Sequence, residues 1–274
     1  MHLKSILSLS PCPPASLSVL FLVSLMPFLL VYPSNFPLDL HGYAFFGKYL
    51  NSDTSAYYID VSTDFYCTLM KYDRLSLFIR YRDDLDVAGW PESGVIFDPQ
   101  RAHYYMVMGM DYFFSTVLVS GYFMHDCIHF LDHNADGTPI FNRFKLSLGA
   151  PDFHYSLQLS TNKKILWRTT FGWYPGWQYH NWAVNYGADY QYDLFFDLVA
   201  SLLKKSNIAV SINTSLGFAK ADSNFYQQHM AQIACSYLSG HGGAIGTSLA
   251  YNIYNNDPLK SPDRLWLLSI FFQF

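Results

Sequence analysis

Three side chains that can do chemistry stand at alternating positions in the stretch GYFMHDCIHFLD, residues 121–132. They are His125, Cys127 and His129. Successive side chains of an extended strand point to opposite faces, so these three would share one face. An imidazole beside a thiol can take the thiol proton and leave a nucleophilic thiolate. The spacing therefore makes nucleophilic catalysis one candidate chemistry.

The same residue types also bind metal ions. Same-face residues of a strand lie about 6.6 to 7 Å apart, so the three positions would span about 13 Å and would not converge on one ion without bending of the strand. A third interpretation assigns them no chemistry and treats them as polar residues at the rim of a sheet. The choice depends on what this face touches.

The composition is unlike that of an ordinary soluble domain. Of 274 residues, 14% are charged and 19% are aromatic, including 22 Tyr and 23 Phe. The net charge of -4 provides no basic surface for nucleic acid, so no nucleic-acid partner is expected. Beyond the N-terminus, no uncharged apolar run approaches the roughly 20 residues that a membrane-spanning helix needs. The composition favours a β protein rich in aromatic residues.

Residues 1–34 are predicted to be a signal or targeting segment. Lys4 supplies a positive charge, and a long apolar run begins at Ser18. The run is long and has no A-x-A-like cleavage site, so an uncleaved membrane anchor stays open as the alternative. Residues 35–274 are predicted to form the folded domain.

From Asp39 to the end, segments of about ten residues alternate in hydrophobicity and are separated by polar or Gly/Pro turns. In residues 55–70, for example, Val61 and Phe65 alternate with Ser62 and Asp64. The apolar face is crowded with Tyr, Phe and Trp, and the polar face carries Ser, Asn, Gly, Asp and Arg. A transmembrane barrel with a lipid-facing exterior and a polar lumen has this pattern. We predict a single all-β, antiparallel, up-and-down transmembrane barrel of about 12 to 14 strands.

The final stretch, RLWLLSIFFQF, alternates up to the terminal Phe274. Its apolar face is formed by Trp266, Leu268, Ile270, Phe272 and Phe274. An aromatic C-terminus on such a strand resembles the signal that bacterial outer-membrane proteins present to their assembly machinery. The resemblance implies a bacterial outer membrane as the location, membrane lipids as surroundings and the assembly machinery as a partner. The polar connections at 83–101, 131–138 and 255–262 are predicted to be extracellular loops.

Several charged residues fall on the predicted lumen side. These lumen-lining residues include Asp60, Asp64, Arg80, Arg82 and Arg143. Mixed charge inside a barrel can form a plug of salt bridges, or charged rings can set the ion preference of a pore. Both alternatives stay open at the level of sequence.

The next predicted strand supplies a possible partner for His125 and Cys127. In PIFNRFKLSLGA, Asn142 belongs to the apolar parity and is predicted to face lipid, while Arg143 points to the lumen. A hairpin folded about Asn134 and Ala135 would place Cys127 opposite Asn142, with His125 as a diagonal neighbour. His125 would then take the thiol proton while Asn142 orients the imidazole, which is the logic of a catalytic triad.

These residues resemble the motif of the outer-membrane phospholipase A barrels. That family carries His-x-Ser on one strand and Asn-Arg after the following loop, on the lipid-facing surface. His125-Asp126-Cys127 and Asn142-Arg143 fall in corresponding places, with Cys127 where the family has serine. The resemblance implies an acyl hydrolase that uses calcium and forms a homodimer. The acidic residues Asp132 and Asp136 are the candidate calcium ligands, since calcium prefers oxygen.

Two functions therefore remain open. One is a structural or pore-type barrel without chemistry, in which the polar cluster is a feature of the barrel rim. The alternative is a phospholipase A-like acyl hydrolase that acts on outer-leaflet lipids through His125, Cys127 and Asn142. The orientation of the strand distinguishes them, because a lipase site must face the bilayer.

Overall fold

The computed structural model describes most of the chain after residue 38, and the described ranges are 39–90, 94–131, 139–153, 165–175, 190–239, 243–257 and 261–274. The predicted targeting segment, 1–34, lies outside them. No helix in these ranges is long and apolar enough to cross a membrane.

The described residues form one closed antiparallel barrel. Its strands are β1 Asp39–Leu50, β2 Ile59–Tyr72, β3 Leu75–Trp90, β4 Val95–Phe113, β5 Leu118–Phe130, β6 Ile140–Gly149, β7 Ile165–Trp173, β8 Tyr190–Lys205, β9 Ile208–Ala221, β10 Asn224–Leu238, β11 Ala244–Asn255 and β12 Trp266–Gln273. Each strand pairs with its neighbours in sequence, and β1 pairs with β12 to close the ring. The predicted up-and-down barrel is confirmed, with twelve strands.

The links between strands divide between two ends of the barrel. The loop end holds the links after β1, β3, β5, β7, β9 and β11, and the turn end holds the others together with Asp39 and Phe274. The two-residue links after β2, β8 and β9 begin with Asp73, Ser206 and Asp222, at φ values of 49°, 51° and 50°. Small polar residues such as these tolerate the left-handed region that a tight turn requires.

One sequence prediction was wrong, and two others lie largely outside the described residues. Residues 83–101 are mostly strand and not a loop, because β3 and β4 continue their pairing up to Trp90 and Val95 through two register shifts. The strand predicted at 152–160 falls outside the described residues, apart from Asp152 and Phe153, which do not continue a strand. Of the strand predicted at 180–192, only residues 190–192 are described, and they begin β8.

The outer surface of the barrel is apolar. The side chains predicted to share one face of the last strand are all exposed, from 43% for Trp266 to 56% for Phe274. Phe274 also continues the closure of the ring, since its backbone exchanges hydrogen bonds of 2.9 and 3.0 Å with Gly42. Exposed aromatic and aliphatic side chains around a closed sheet are what a lipid-facing surface requires.

The interior is polar and its charges are paired. Arg80 pairs with Asp64, Arg82 with Asp84 at 2.9 Å, and Arg168 with Asp197 at 2.9 Å. The wall formed by β9 to β12 is neutral instead. Here a chain of hydrogen bonds runs from Asn213 to Gln232 (2.8 Å), to Ser248 (2.8 Å) and to Ser269 (2.7 Å). These contacts satisfy polar groups that would be costly to bury unpaired.

Candidate functional site

The alternation of β5 places His125 and Cys127 on the outside of the barrel. Met124 and Asp126, on either side of His125 in sequence, line the central cavity. The side chains between them therefore point away from the lumen. On β6, Phe141 and Arg143 line the same cavity, so Asn142 also points outward. The three predicted catalytic residues thus share the lipid-facing surface.

The pairing of β5 with β6 differs from the predicted register by two residues. His125 lies directly opposite Asn142, and Cys127 lies opposite Ile140. The prediction that Cys127 faces Asn142 was wrong because it centred the hairpin between Asn134 and Ala135, whereas the observed pairing of His125 with Asn142 is centred one residue earlier in the chain. A slip of two residues keeps every side chain on its face, so the predicted parity survives.

The direct pairing joins His125 to Asn142 by a side-chain hydrogen bond. The distance from His125 Nδ1 to Asn142 Oδ1 is 2.8 Å. Because Oδ1 is an acceptor, His125 Nδ1 donates and carries the proton of the neutral ring. The basic nitrogen is then His125 Nε2, which is buried and accepts no hydrogen bond from the described residues. This is the arrangement of a general base held by an orienting group.

Cys127 occupies the next outward position along β5, toward the loop end. Its cross-strand neighbours are Tyr104 on β4 and Ile140 on β6. Only 2% of its surface is exposed, and it forms no disulfide with the other described cysteines. Since His125 Nε2 has no hydrogen-bond partner there, the thiol and the imidazole are neighbours without a hydrogen bond between them.

On the lumen side, a salt bridge joins the same two strands. Asp126 pairs with Arg143 at 2.8 Å and with His103 on β4. Arg143 also donates to the hydroxyl of Tyr174, which in turn donates to Asp193 at 2.9 Å. Asp126 follows His125 and Arg143 follows Asn142, so the buried ion pair lies directly behind the outward pair and joins the two strands diagonally.

A row of outward side chains continues from Cys127 across the neighbouring strands. This Cys127 row consists of Thr63, Asp83, Tyr104, Cys127 and Ile140. Asp83 accepts a hydrogen bond from the Thr63 backbone at 3.0 Å. Sequence reasoning missed Asp83, because residues 83–101 were taken as a loop, and it therefore gave Tyr104 no partner on the preceding strand. The available signal was the shared parity of Tyr81 and Asp83, opposite to that of Arg80 and Arg82.

The outward side chains of the Cys127 row are more polar than those nearer the turn end. Two rows nearer the turn end, the outward side chains are Cys67, Ile79, Met108, Phe123 and Phe144. Because a carboxylate is costly in hydrocarbon, the level of Asp83 corresponds to the lipid headgroups rather than the acyl chains. We expect the His125 row, between the two, to lie near the depth of lipid ester groups.

The residues considered as metal ligands include His129, Asp132 and Asp136. The ring of His129 meets that of Tyr104 edge to face, with centroids 5.4 Å apart. In the part of the chain that the structure describes, no three His, Cys, Asp or Glu side chains are grouped to hold a metal ion. Asp132 and Asp136, the predicted calcium ligands, lie outside the described residues.

The predicted lumen residues all line the central cavity. This cavity has a volume of about 520 Å³, and its wall includes Asp60, Asp64, Arg80, Arg82 and Arg143. Each of the three arginines pairs with a carboxylate. The charges therefore form a bonded network along the wall rather than rings of one sign.

The fold is similar to that of bacterial outer-membrane barrels. The Salmonella typhi outer membrane phospholipase, solved as a dimer with bound calcium, matches with a TM-score of 0.55 and 11% identity over 88% of this chain and 93% of that chain. An active-site mutant of the Escherichia coli outer membrane phospholipase A, with asparagine replaced by alanine, has a TM-score of 0.54 and 12% identity over 88% and 91%. An outer membrane channel from Pseudomonas putida F1 has a TM-score of 0.52 and 8% identity over 85% and 94%.

No protein-family model matches the chain, and no curated protein matches it in sequence. The structural likeness therefore establishes the fold, an outer-membrane β-barrel, and it includes both an enzyme and a channel.

Proposed function

We propose that this barrel is a phospholipase A-like acyl hydrolase acting on lipids of the outer leaflet. The observation that carries the proposal is the outward-facing hydrogen bond between His125 Nδ1 and Asn142 Oδ1, 2.8 Å long, beside the thiol of Cys127. A barrel that needed only a stable exterior would place apolar residues at these positions, since an amide and an imidazole are costly to expose to lipid.

The proposed reaction uses His125 Nε2, the ring nitrogen that the hydrogen bond to Asn142 leaves able to accept a proton. His125 Nε2 takes the Cys127 proton as the sulfur attacks the carbonyl carbon of a lipid ester, and a thioester forms as the ester C–O bond breaks. The proton passes from His125 to the departing alkoxide, which leaves as a lysophospholipid. Water, deprotonated by His125, then hydrolyses the thioester, releases the fatty acid and restores the thiol.

The first step requires Cys127 Sγ and His125 Nε2 to meet. The two side chains lie two residues apart on one face, about 6.6 to 7 Å between backbone positions, so rotation about their side-chain bonds must bring the atoms together. A thiol is a capable nucleophile once its proton is removed, which is why cysteine can stand where the resembling family has serine.

The test is release of fatty acid from phospholipid vesicles by the refolded barrel, comparing the wild type with Cys127→Ala and Cys127→Ser. Hydrolysis that is lost in the alanine variant and kept in the serine variant supports the proposal. A wild type that releases no fatty acid, with or without calcium, would overturn it.

A second candidate is a structural or pore-type barrel, favoured by the polar cavity of about 520 Å³. Paired charges of both signs would give a pore little preference between anions and cations. Conductance across a planar bilayer tests this function, and a membrane that stays insulating after insertion of the barrel excludes the pore.

The same proposal includes partners. We expect the strand ending at Phe274 to be the part recognised by the outer-membrane assembly machinery, because its apolar face is continuous to the last residue. The phospholipase of similar fold that was solved as a calcium-bound dimer motivates homodimer formation and calcium use here as well. Cross-linking with and without calcium tests both.

A further inference from the structure

We infer that Asp83, Tyr81 and Tyr104 form a binding site for the ammonium group of a lipid headgroup, next to Cys127 on the outside of the barrel. The inference deepens the proposed function and rests on it for its catalytic meaning, because it names the class of lipid that would lie over the site.

The outward direction of these side chains follows from their neighbours in sequence. Arg80, Arg82 and Asp84 line the cavity, so Tyr81 and Asp83 between them point outward on β3. His103 and Tyr105 line it as well, so Tyr104 points outward on β4. Asp83 lies directly opposite Tyr104, and Tyr104 lies directly opposite Cys127.

The carboxylate of Asp83 is held by a threonine on the neighbouring strand. It accepts hydrogen bonds from the backbone and the hydroxyl of Thr63, which hold its Oδ1 in place. Within the ranges that the structure describes, no Lys, Arg or His pairs with it; the adjacent Arg82 turns to the lumen and pairs with Asp84 at 2.9 Å. A negative charge on a lipid-facing surface is stabilised by a positive partner, and the headgroup layer can supply one.

The two tyrosines provide the rest of the site. Their rings are stacked, with centroids 6.5 Å apart and planes 27° apart, and 39% of Tyr81 is exposed. Tyr104 lies between Asp83 and Cys127 in the Cys127 row, and Tyr81 is two residues before Asp83 and stacks with Tyr104, so the four residues are neighbours on the outer surface. A carboxylate beside two aromatic faces is the arrangement that binds alkylammonium groups.

The distance from this site to the thiol suits a phospholipid. Asp83 and Cys127 are two strands apart in one row, and neighbouring strands are about 4.8 Å apart, so their backbones are separated by about 10 Å. An ammonium group at Asp83 therefore leaves the ester groups of the same molecule within reach of Cys127 and His125. Phosphatidylethanolamine and phosphatidylcholine carry this group, and phosphatidylglycerol does not.

The experiment measures binding without hydrolysis. The refolded barrel in detergent is mixed with equal amounts of phosphatidylethanolamine and phosphatidylglycerol with the same acyl chains, and native mass spectrometry counts the lipids retained. We expect the wild type to retain the amine lipid with a preference of about fivefold, which corresponds to about 1 kcal/mol.

Two variants test the site and one controls for charge. Asp83→Asn and Tyr81→Leu are expected to reduce the preference, whereas Asp73→Asn, which removes the same charge from an exposed turn at the opposite end, is expected to keep it. The shift in gel migration between heated and unheated barrel verifies folding. Equal retention of both lipids by the wild type, or equal losses in Asp83→Asn and Asp73→Asn, would overturn the inference.

The outcome can be separated from that of the proposed hydrolase. A barrel that retains the amine lipid but releases no fatty acid has the headgroup site without the enzyme activity. A barrel that hydrolyses both lipids and retains them equally has the activity without the site. Retention of both lipids that depends only on added calcium would assign Asp83 to a divalent cation and also overturn the inference.

Discussion

Two histidines of this barrel each share a hydrogen bond with a side-chain amide oxygen, and they use opposite ring nitrogens. His125 bonds to Asn142 through Nδ1 at 2.8 Å, and His229 bonds to Gln227 through Nε2 at 3.0 Å. In both cases the other nitrogen is buried and has no partner among the described residues. The chemical difference lies in which nitrogen each bond leaves basic.

The bond to Asn142 leaves the tip of the His125 ring basic, on the side away from its own backbone. The bond to Gln227 occupies the tip of the His229 ring and leaves the nitrogen next to the backbone. The surroundings differ as well, because Cys127 lies two positions along from His125, whereas His229 packs against the rings of Phe218 and Tyr254 at 5.2 and 6.3 Å. A histidine–amide hydrogen bond alone is therefore not evidence of catalysis.

The largest expected effect separates the two histidines directly. His125→Ala removes the proposed base and should lower the rate of fatty-acid release about 10²- to 10⁴-fold, since that is the usual contribution of general base catalysis. His229→Ala should leave the rate unchanged. Initial rates on mixed micelles of detergent and phospholipid measure both. Equal losses in the two variants would show that the assay reports barrel integrity and not chemistry.

The second effect concerns the buried ion pair behind His125. Arg143→Met leaves Asp126 and Asp193 without their shared partner, and breaking a buried pair in this way costs about 3 to 5 kcal/mol. Urea unfolding of the barrel in lipid vesicles measures the loss. Arg74→Met, at an exposed turn, serves as the control and should shift the unfolding free energy by less than about 0.5 kcal/mol. An Arg143 variant as stable as the control would contradict the role of the ion pair.

A smaller effect is expected when the amide partner of each histidine is removed. Asn142→Ala frees the His125 ring and should reduce kcat about tenfold, the equivalent of one hydrogen bond, with little change in KM. Gln227→Ala should change neither value. Steady-state kinetics measure kcat and KM, and the unfolding midpoint of each variant shows whether a lower kcat comes from loss of stability instead of loss of His125 positioning. A rise in KM at constant kcat would indicate that Asn142 binds the lipid instead of holding His125.

The smallest effect concerns access to the thiol. Tyr104→Ala removes a cross-strand neighbour of the buried Cys127 and should increase the rate at which a lipid-soluble maleimide labels it. Cys235 is exposed and provides the reference rate within the same molecule. Mass spectrometry of tryptic peptides measures both cysteines. Labelling of Cys127 that stays as slow in the variant would show that other residues cover the thiol.

Most of the fold could be predicted because a barrel repeats one simple rule. The alternation of apolar and polar residues determines which side chains face lipid, and it does so strand by strand without knowledge of the neighbours. The exposed face of the last strand, up to Phe274, was predicted in full for this reason. The pairing of His125 with Asn142 was not, because the register depends on where the strands end, and residues 131–139 give no pattern that locates those ends.

The omission of Asp83 has the same physical origin. Its segment, DDLD, carries three charges in four residues and suggested the start of a polar loop. In the barrel, the lumen pairs Arg82 with Asp84, so a charged segment remains in a strand and directs Asp83 to the outside. Arg101 on β4 pairs with Asp86 on β3 in the same way, and that pairing between two strands is not visible along one of them.

The ion pair between Asp126 and Arg143 has a consequence for how this barrel can change over time. His125-Asp126 on one strand and Asn142-Arg143 on the next form two contacts back to back, one facing lipid and one facing the lumen. Asp126 lies opposite Phe141 and reaches Arg143 diagonally, so a two-residue slip that moved Asp126 away from Arg143 would break both contacts at once. Selection for a stable interior therefore opposes a slip in that direction, and a lineage that lost the use of the outer site would still resist it for as long as the inner contact was kept.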